Sequence, residues 1–174
     1  MKWIDQGLSI EIYPPPEFNF KECLVFLGRS EQEVMHQIKD GYLYKLVKVN
    51  GEVVLLKIGS TSHSIQVEFP MSTPSISTLE KVVSYIWEWF DLDQALGDFY
   101  EVASKDMILK QIAPKYYGLR IICISDLFEA LTWAIIGQQI NLTFAYTLMK
   151  RFVEQFGESF TIEGDTFWLF PEFT

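Results

Sequence analysis

The hydrophobic period of this chain changes once, and that change limits what it can fold into. Up to about residue 70, apolar side chains recur at every second position. Leu8, Ile10 and Ile12 alternate with Ser9 and Glu11, and Ile65, Val67 and Phe69 alternate with Gln66 and Glu68. Alternation of this kind turns one side of an extended strand to a core and the other to water. Pro14, Pro15 and Pro16 end the first strand, because proline has no N–H to give to a ladder. Tyr42 to Val49 and Glu52 to Ile58 are β-rich runs joined by Asn50-Gly51, a pair suited to the two positive φ angles of a type I′ turn. Asn19 to Gly28 carries Phe20, Cys23, Leu24 and Leu27 at helical spacing. These segments predict a curved antiparallel sheet of about four or five strands with one apolar face, crossed by at least one helix.

The stretch Met71 to Ser77 is rich in Ser, Thr and Pro and reads as a boundary. Everything beyond it reads as helical. Leu79, Val82, Val83, Ile86, Trp87 and Phe90 line one face of a first helix. Two more are expected near Gln94 to Ala103 and from Lys105 to Ile112, the latter stopping before Pro114. Asp126, with Glu129 three residues on, begins a further helix in the manner of a capping box, running to about Gly137 or Gln139. Asn141 caps another, with Leu142, Ala145, Leu148, Met149, Phe152 and Phe156 on one stripe, and Gly157 stops it. The order, sheet first and helices second, predicts an α+β fold with a sheet domain over 1–74 and a helical one over 75–174.

Composition removes several function classes. The net charge is −9, whereas autonomous DNA binders owe most of their affinity to Lys and Arg that release counterions from phosphates. No cluster of basic residues offsets this. Cys23 and Cys123 lie in apolar surroundings and read as free thiols of a reducing compartment. His36 and His63 have no metal-ligand spacing to each other or to a cysteine, so neither a metal nor another cofactor is expected. The uncharged run Ala130 to Met149 has membrane-spanning length, but Gly137, Gln138, Gln139 and Asn141 in its middle fit two soluble helices and a turn better. A cytoplasmic, nucleoid-associated protein with no membrane partner is expected. There is no Ser/His/Asp order, paired-carboxylate signature or Gly-rich phosphate loop to support an unrelated hydrolase.

Several segments together resemble the DNA-3-methyladenine glycosylase II family of the helix-hairpin-helix glycosylase superfamily. They are Asp126-Leu127-Phe128-Glu129, Ile135-Ile136-Gly137-Gln138-Gln139-Ile140, Phe156-Gly157 and Phe170-Pro171. Phe18-x-Phe20, Leu24-x-Phe26-Leu27-x-Arg29 and Gly118-Leu119-Arg120 match upstream. The resemblance implies a sheet domain like that of the TATA-binding protein followed by a partial all-α glycosylase domain. It also implies removal of alkylated bases, of the 3-methyladenine type, from double-stranded DNA by base flipping and N-glycosidic hydrolysis. By the same resemblance Gly137, Gln138 and Gln139 face the duplex, with Gln139 at the wedge position that fills the vacated stack. Read from spacing alone, Gly-Gln-Gln is simply a polar interhelical turn. Phe26 resembles an aromatic of the base cleft, where an electron-rich ring suits a cationic purine, and is equally a core position on the first helix. Trp133, three residues before Ile136, reads as a core position first and a cleft position second.

The family's chemistry requires a glycine-rich hairpin and an aspartate, and both are expected downstream of the matching residues. No Gly-x-Gly occurs in the sequence. Asp91, Asp93, Asp98, Asp106 and Asp126 precede the matching helix or act as caps, so no residue here is assigned to catalysis. This predicts the N-terminal portion of a glycosylase, inactive by itself. The alternative is a non-enzymatic interaction module derived from such a domain. Apolar helix faces from Leu127 through Phe160 are expected to be left bare, giving self-association through Leu142, Leu148, Phe152 and Phe156.

Overall fold

The computed structural model describes residues 1–172. Two strands, β1 (Lys2–Asp5) and β2 (Ser9–Tyr13), lead into helix α1 (Phe20–Leu27), then come β3 (Gln37–Lys39), β4 (Tyr42–Val49), β5 (Glu52–Ser60) and β6 (Ile65–Glu68). Helices α2 (Ile76–Trp89), α3 (Gly97–Lys105) and α4 (Leu109–Ile112) follow, with a 3-10 turn at Ala113–Tyr116. The chain continues through α5 (Leu127–Ile136) and α6 (Leu142–Phe156) to a hairpin of β7 (Glu158–Ile162) and β8 (Asp165–Leu169). The large sheet has the order β1-β2-β6-β5-β4-β3, antiparallel throughout. No helix among the described residues is long and apolar enough to cross a membrane.

The α+β class follows from the way the alternation is used. Ile10, Ile12, Leu43, Leu56, Ile58, Ile65 and Val67 form the inner face of the sheet. Phe20, Cys23 and Leu27 of α1 and Leu79, Val82, Val83, Ile86 and Trp89 of α2 pack against it. Full burial of each such aliphatic side chain contributes about 1.5–3 kcal/mol. The hairpin fixes where α2 begins, since the Glu52 carboxylate accepts from the hydroxyls of Ser75 and Thr78, both at 2.7 Å. Those bonds hold the Glu52 carboxyl below its usual range.

The sheet is larger than the alternation predicts. Its two extra strands are the edges, β1 and β3, which are too short to show a period. A two-residue turn with positive φ at both positions recurs three times: Asp40-Gly41, Asn50-Gly51 and Glu163-Gly164. Only the Asn-Gly pair stands between two long β-rich runs, which is why it alone was expected.

Helical structure does not persist to the end of the chain, contrary to the reading of everything past Ser77. Phe160 lies on β7, not on a helix face. Phe167 and Leu169 of the hairpin bury against Leu46 and Leu55 on the outer face of the large sheet. The helix expected from Lys105 to Ile112 is also broken. Asp106 Oδ1 accepts from the N–H groups of Ile108 and Leu109, both at 2.8 Å, and so restarts the chain as the single turn of α4.

Candidate nucleic-acid interface

The uncharged run from Ala130 to Met149 is two helices meeting at a turn. Asp126 caps α5, its Oδ1 accepting from Glu129 N–H at 2.7 Å, and Asn141 caps α6 by accepting from Phe144 N–H at 2.8 Å. Between them Gly137, Gln138 and Gln139 are all exposed. Gln139 has φ +57°, a left-handed conformation that costs a non-glycine residue about 1 kcal/mol or more. The turn therefore holds two amide side chains outward on a strained backbone.

A cavity of about 330 Å³ lies beside this helix pair, toward the small end of small-molecule sites. It brings together the two residues expected in a base cleft: Phe26, from the last turn of α1, and Trp133, from α5. Phe26 is 39% exposed, and the Arg29 guanidinium lies 3.9 Å above its ring. Arg29 also reaches to 5.7 Å from the Tyr146 ring, and Tyr146 meets Trp133 edge-on at 4.9 Å. The wall is thus aromatic, with a cation between two rings. Trp133 is half-buried and also packs against the small cluster of Met35, Met149 and Val153. It lines the cavity and packs against that cluster at once.

The floor of the cavity is polar, which the sequence reading missed. Lys45, Tyr85 and Glu129 converge there from β4, α2 and α5. Lys45 is 7% exposed, gives a hydrogen bond to Met35 O at 3.3 Å and sits 5.2 Å from the Trp89 ring. Burial opposes its charge, but Tyr85, Glu129 and Glu33 more than offset this and hold its pKa above the ordinary lysine value. Burial pushes the Glu129 carboxyl and the Tyr85 hydroxyl up. His36, which shares the wall, is pushed down by burial, and its Nε2 lies 3.1 Å from Leu27 O.

The bare surface also differs from the expected one. On α6, Phe152 is half-buried between Phe128 and Phe170, with ring centroids 6.4 and 5.8 Å away, and Leu148 is half-buried too. Leu142 and Phe156 are exposed as expected. Within the span expected to be bare, an apolar stripe also runs along α5 at Leu127, Leu131 and Ile135, exposed by 73%, 52% and 68%.

A curled antiparallel sheet with helices packed on it is a fold found in DNA glycosylases. The 3-methyladenine DNA-glycosylase from Archaeoglobus fulgidus superposes with a TM-score of 0.77 at 22% identity, over 92% of this chain and 55% of that one. The Clostridium acetobutylicum 8-oxoguanine glycosylase/lyase, solved with double-stranded DNA containing cytosine opposite 8-oxoguanine, gives 0.68 at 18% identity, over 99% of this chain and 54% of that one. The family model for the N-terminal domain of 8-oxoguanine DNA glycosylase matches residues 12–131, and the chain belongs to that family. In sequence it is 42% identical over 177 aligned residues to the DNA-3-methyladenine glycosylase of Bacillus subtilis (strain 168), covering 99% of this chain and 58% of that relative. The chain therefore spans little more than half the length of these proteins.

Proposed function

We propose that this chain is the N-terminal portion of a base-excision-repair glycosylase for alkylated bases, in which it supplies one wall of the base cleft and the wedge turn. The observation that carries this reading is the meeting of Phe26 and Trp133 in a single aromatic cavity next to an exposed Gly137-Gln138-Gln139 turn. Stacking between rings and cation–π attraction suit a flat cationic purine. An amide at position 139 can fill a vacated stack and hydrogen-bond the widowed base. Residues 75–174 are read as an incomplete helical domain whose first helix shares the core of the sheet. No side chain in the chain is assigned to bond cleavage, so the chain alone binds without catalysing, inside the cell where the DNA lies.

Under this reading, fluorescence anisotropy with matched duplexes shows a preference for one bearing an abasic site over an undamaged one. Gln139→Ala lowers that preference by roughly 5–10-fold, the worth of one hydrogen bond to a base, and Gln138→Ala lowers it less. Both variants keep the wild-type circular dichroism spectrum. Equal, salt-sensitive binding to every duplex sinks the reading.

The second reading, an interaction module, is favoured by the exposed stripe Leu127, Leu131 and Ile135, because soluble monomers rarely leave a large apolar patch bare. It predicts self-association. Light scattering on a size-exclusion column at micromolar concentration gives a mass above the monomer, and Leu131→Glu returns it to monomer. A clean monomer for the unmodified chain ends this reading.

A further inference from the structure

α5 has a weak hold on the rest of the fold, since none of its ten residues is buried. Its outer stripe is bare. Its inner residues Phe128, Trp133 and Ile136 are half-buried and pack toward α6 and Phe170, and none belongs to the core of the large sheet. What α5 turns toward that sheet is its acidic N-terminus, the exposed cap Asp126 and the half-buried Glu129 of the first turn. Opposite stands Lys45, at a position of β4 that alternation assigns to the core, between Leu43 and Val47. Lys45, Tyr85 and Glu129 line both the 330 Å³ cavity and a second one of about 710 Å³, and so form the partition between the two.

The charges in this partition do not balance without the lysine. Glu33, from the segment between α1 and β3, adds a third carboxylate to Asp126 and Glu129. The other cation lining the cavity, Arg29, lies over the Phe26 ring, and burial favours the neutral form of His36. A carboxylate brought into a desolvated site without a counter-charge is strongly unfavourable.

We propose that Lys45 is a positioning residue: its ammonium is the counter-charge that lets the acidic first turn of α5 seat against the sheet, and through α5 it sets the aim of the Gly137-Gln138-Gln139 turn. The functional meaning of that aim rests on the reading of the turn as DNA-facing. The seating itself does not. The groups that face Glu129 are Lys45 from β4, Tyr85 from α2, Asp126 from α5 itself, and Glu33, His36 and Arg29 from the segment after α1.

The pH dependence has a definite sign. Burial, with Glu33 and Asp126, raises the Glu129 carboxyl above its ordinary value, and Lys45 works against that rise. A carboxyl raised in the folded state takes up protons on folding, so its ionisation weakens the fold as pH climbs from the ordinary to the folded value. Without Lys45 the folded value moves higher still, and the loss extends toward neutral pH.

Hydrogen–deuterium exchange on the full chain tests this without DNA. Lys45→Met keeps the length of the side chain and removes its charge. Near neutral pH it raises exchange across residues 127–136 by at least about tenfold, while β5 and β6 keep their protection. On acidification, after correction for intrinsic rates, protection of α5 returns as Glu129 takes up its proton. Adding Glu129→Gln to Lys45→Met restores protection at neutral pH. If the single variant does not fold, the double variant decides, because restored folding with a protected α5 supports the proposal. Unchanged protection in Lys45→Met overturns it. So does a loss that neither acid nor Glu129→Gln reverses. Because no DNA is used, failure of the wedge-turn reading is a separate result.

Discussion

Gly118→Ala is expected to be among the most damaging single methyl additions to this protein. Gly118 has φ +82°, and a Cβ built there lies 2.0 Å from Glu17 O, 2.8 Å from Asn19 Cβ and 2.9 Å from Asn19 N. The first and last of these are backbone atoms and cannot swing aside. They are held in place by the contacts that make the site: Asn19 N–H donates to Gly118 O at 3.0 Å, and Asn19 Nδ2 donates to Tyr117 O at 3.2 Å. Gly118 N–H in turn donates to the Tyr100 hydroxyl at 2.8 Å. The left-handed conformation costs an alanine about 1–2 kcal/mol, and the overpacking adds about 1–3 kcal/mol. Thermal unfolding followed by circular dichroism is expected to show a midpoint roughly 10 °C below wild type. Gly51→Ala is the control, since φ there is +77° with no atom within 4 Å of the added Cβ. It carries the conformational cost alone, and Gly118→Asn, which tolerates the left-handed region but not the clash, stays as damaged as Gly118→Ala. A midpoint for Gly118→Ala within a degree or two of Gly51→Ala would show that the backbone at Glu17 and Asn19 yields.

The same contacts show how far the sequence could be read. Phe18-x-Phe20 and Gly118-Leu119-Arg120 are noticed separately, a hundred residues apart, by resemblance. The fold stacks one against the other, and neither periodicity nor propensity predicts such a pairing. The β-rich half was legible because its strands bury one face each, which forces alternation. The edge strands β1 and β3 and the hairpin of β7 and β8 were not, being only three to five residues long. For the hairpin the Glu163-Gly164 turn was a usable signal that the helical stripe leading into Phe156 obscured.

In the cavity, Phe26 was named by resemblance and Trp133 from its place three residues before Ile136, but the polar floor beside them was not legible. Lys45 did leave a trace. It falls in phase with Leu43 and Val47, on the face that alternation assigns to the core, and a lysine in that phase signals a buried charge in need of partners. Those partners, Tyr85 of α2 and Glu129 of α5, come from far along the chain, so nothing local marks them. The exposed stripe of α5 lay within the span expected to be bare but was not singled out, because α5 is apolar nearly all round and shows no polar face opposite it. Which side is covered depends on Phe170, which lies beyond the helix.

Arg120→Met should cost about 3–5 kcal/mol, the range for removing one partner of a buried ion pair. The Arg120 side chain is fully buried, and its guanidinium donates to Asp91 O, Gln94 O and the Glu17 carboxylate, the last at 2.9 Å. It ties the segment ahead of α1 to the loop that follows α2, two parts of the chain that share no strand pairing. Two carbonyl oxygens lose a charged donor when it goes, and Asp91 O keeps only the long bond from Gln94 N–H at 3.4 Å. Glu17 keeps some access to water, with 19% of its side chain exposed, so Glu17→Gln should cost only about 1 kcal/mol. Arg120→Lys falls between, because an ammonium keeps the charge but cannot span three acceptors as the planar fork does. Its Nε makes no hydrogen bond, so the loss is carried by the two terminal nitrogens. Urea unfolding is expected to place the midpoints in the order wild type, Glu17→Gln, Arg120→Lys, Arg120→Met, with a common slope. A midpoint for Arg120→Met equal to that of Glu17→Gln would mean that the carbonyls find water, and that the segment ahead of α1 is held by its bonds to Tyr117 and Gly118.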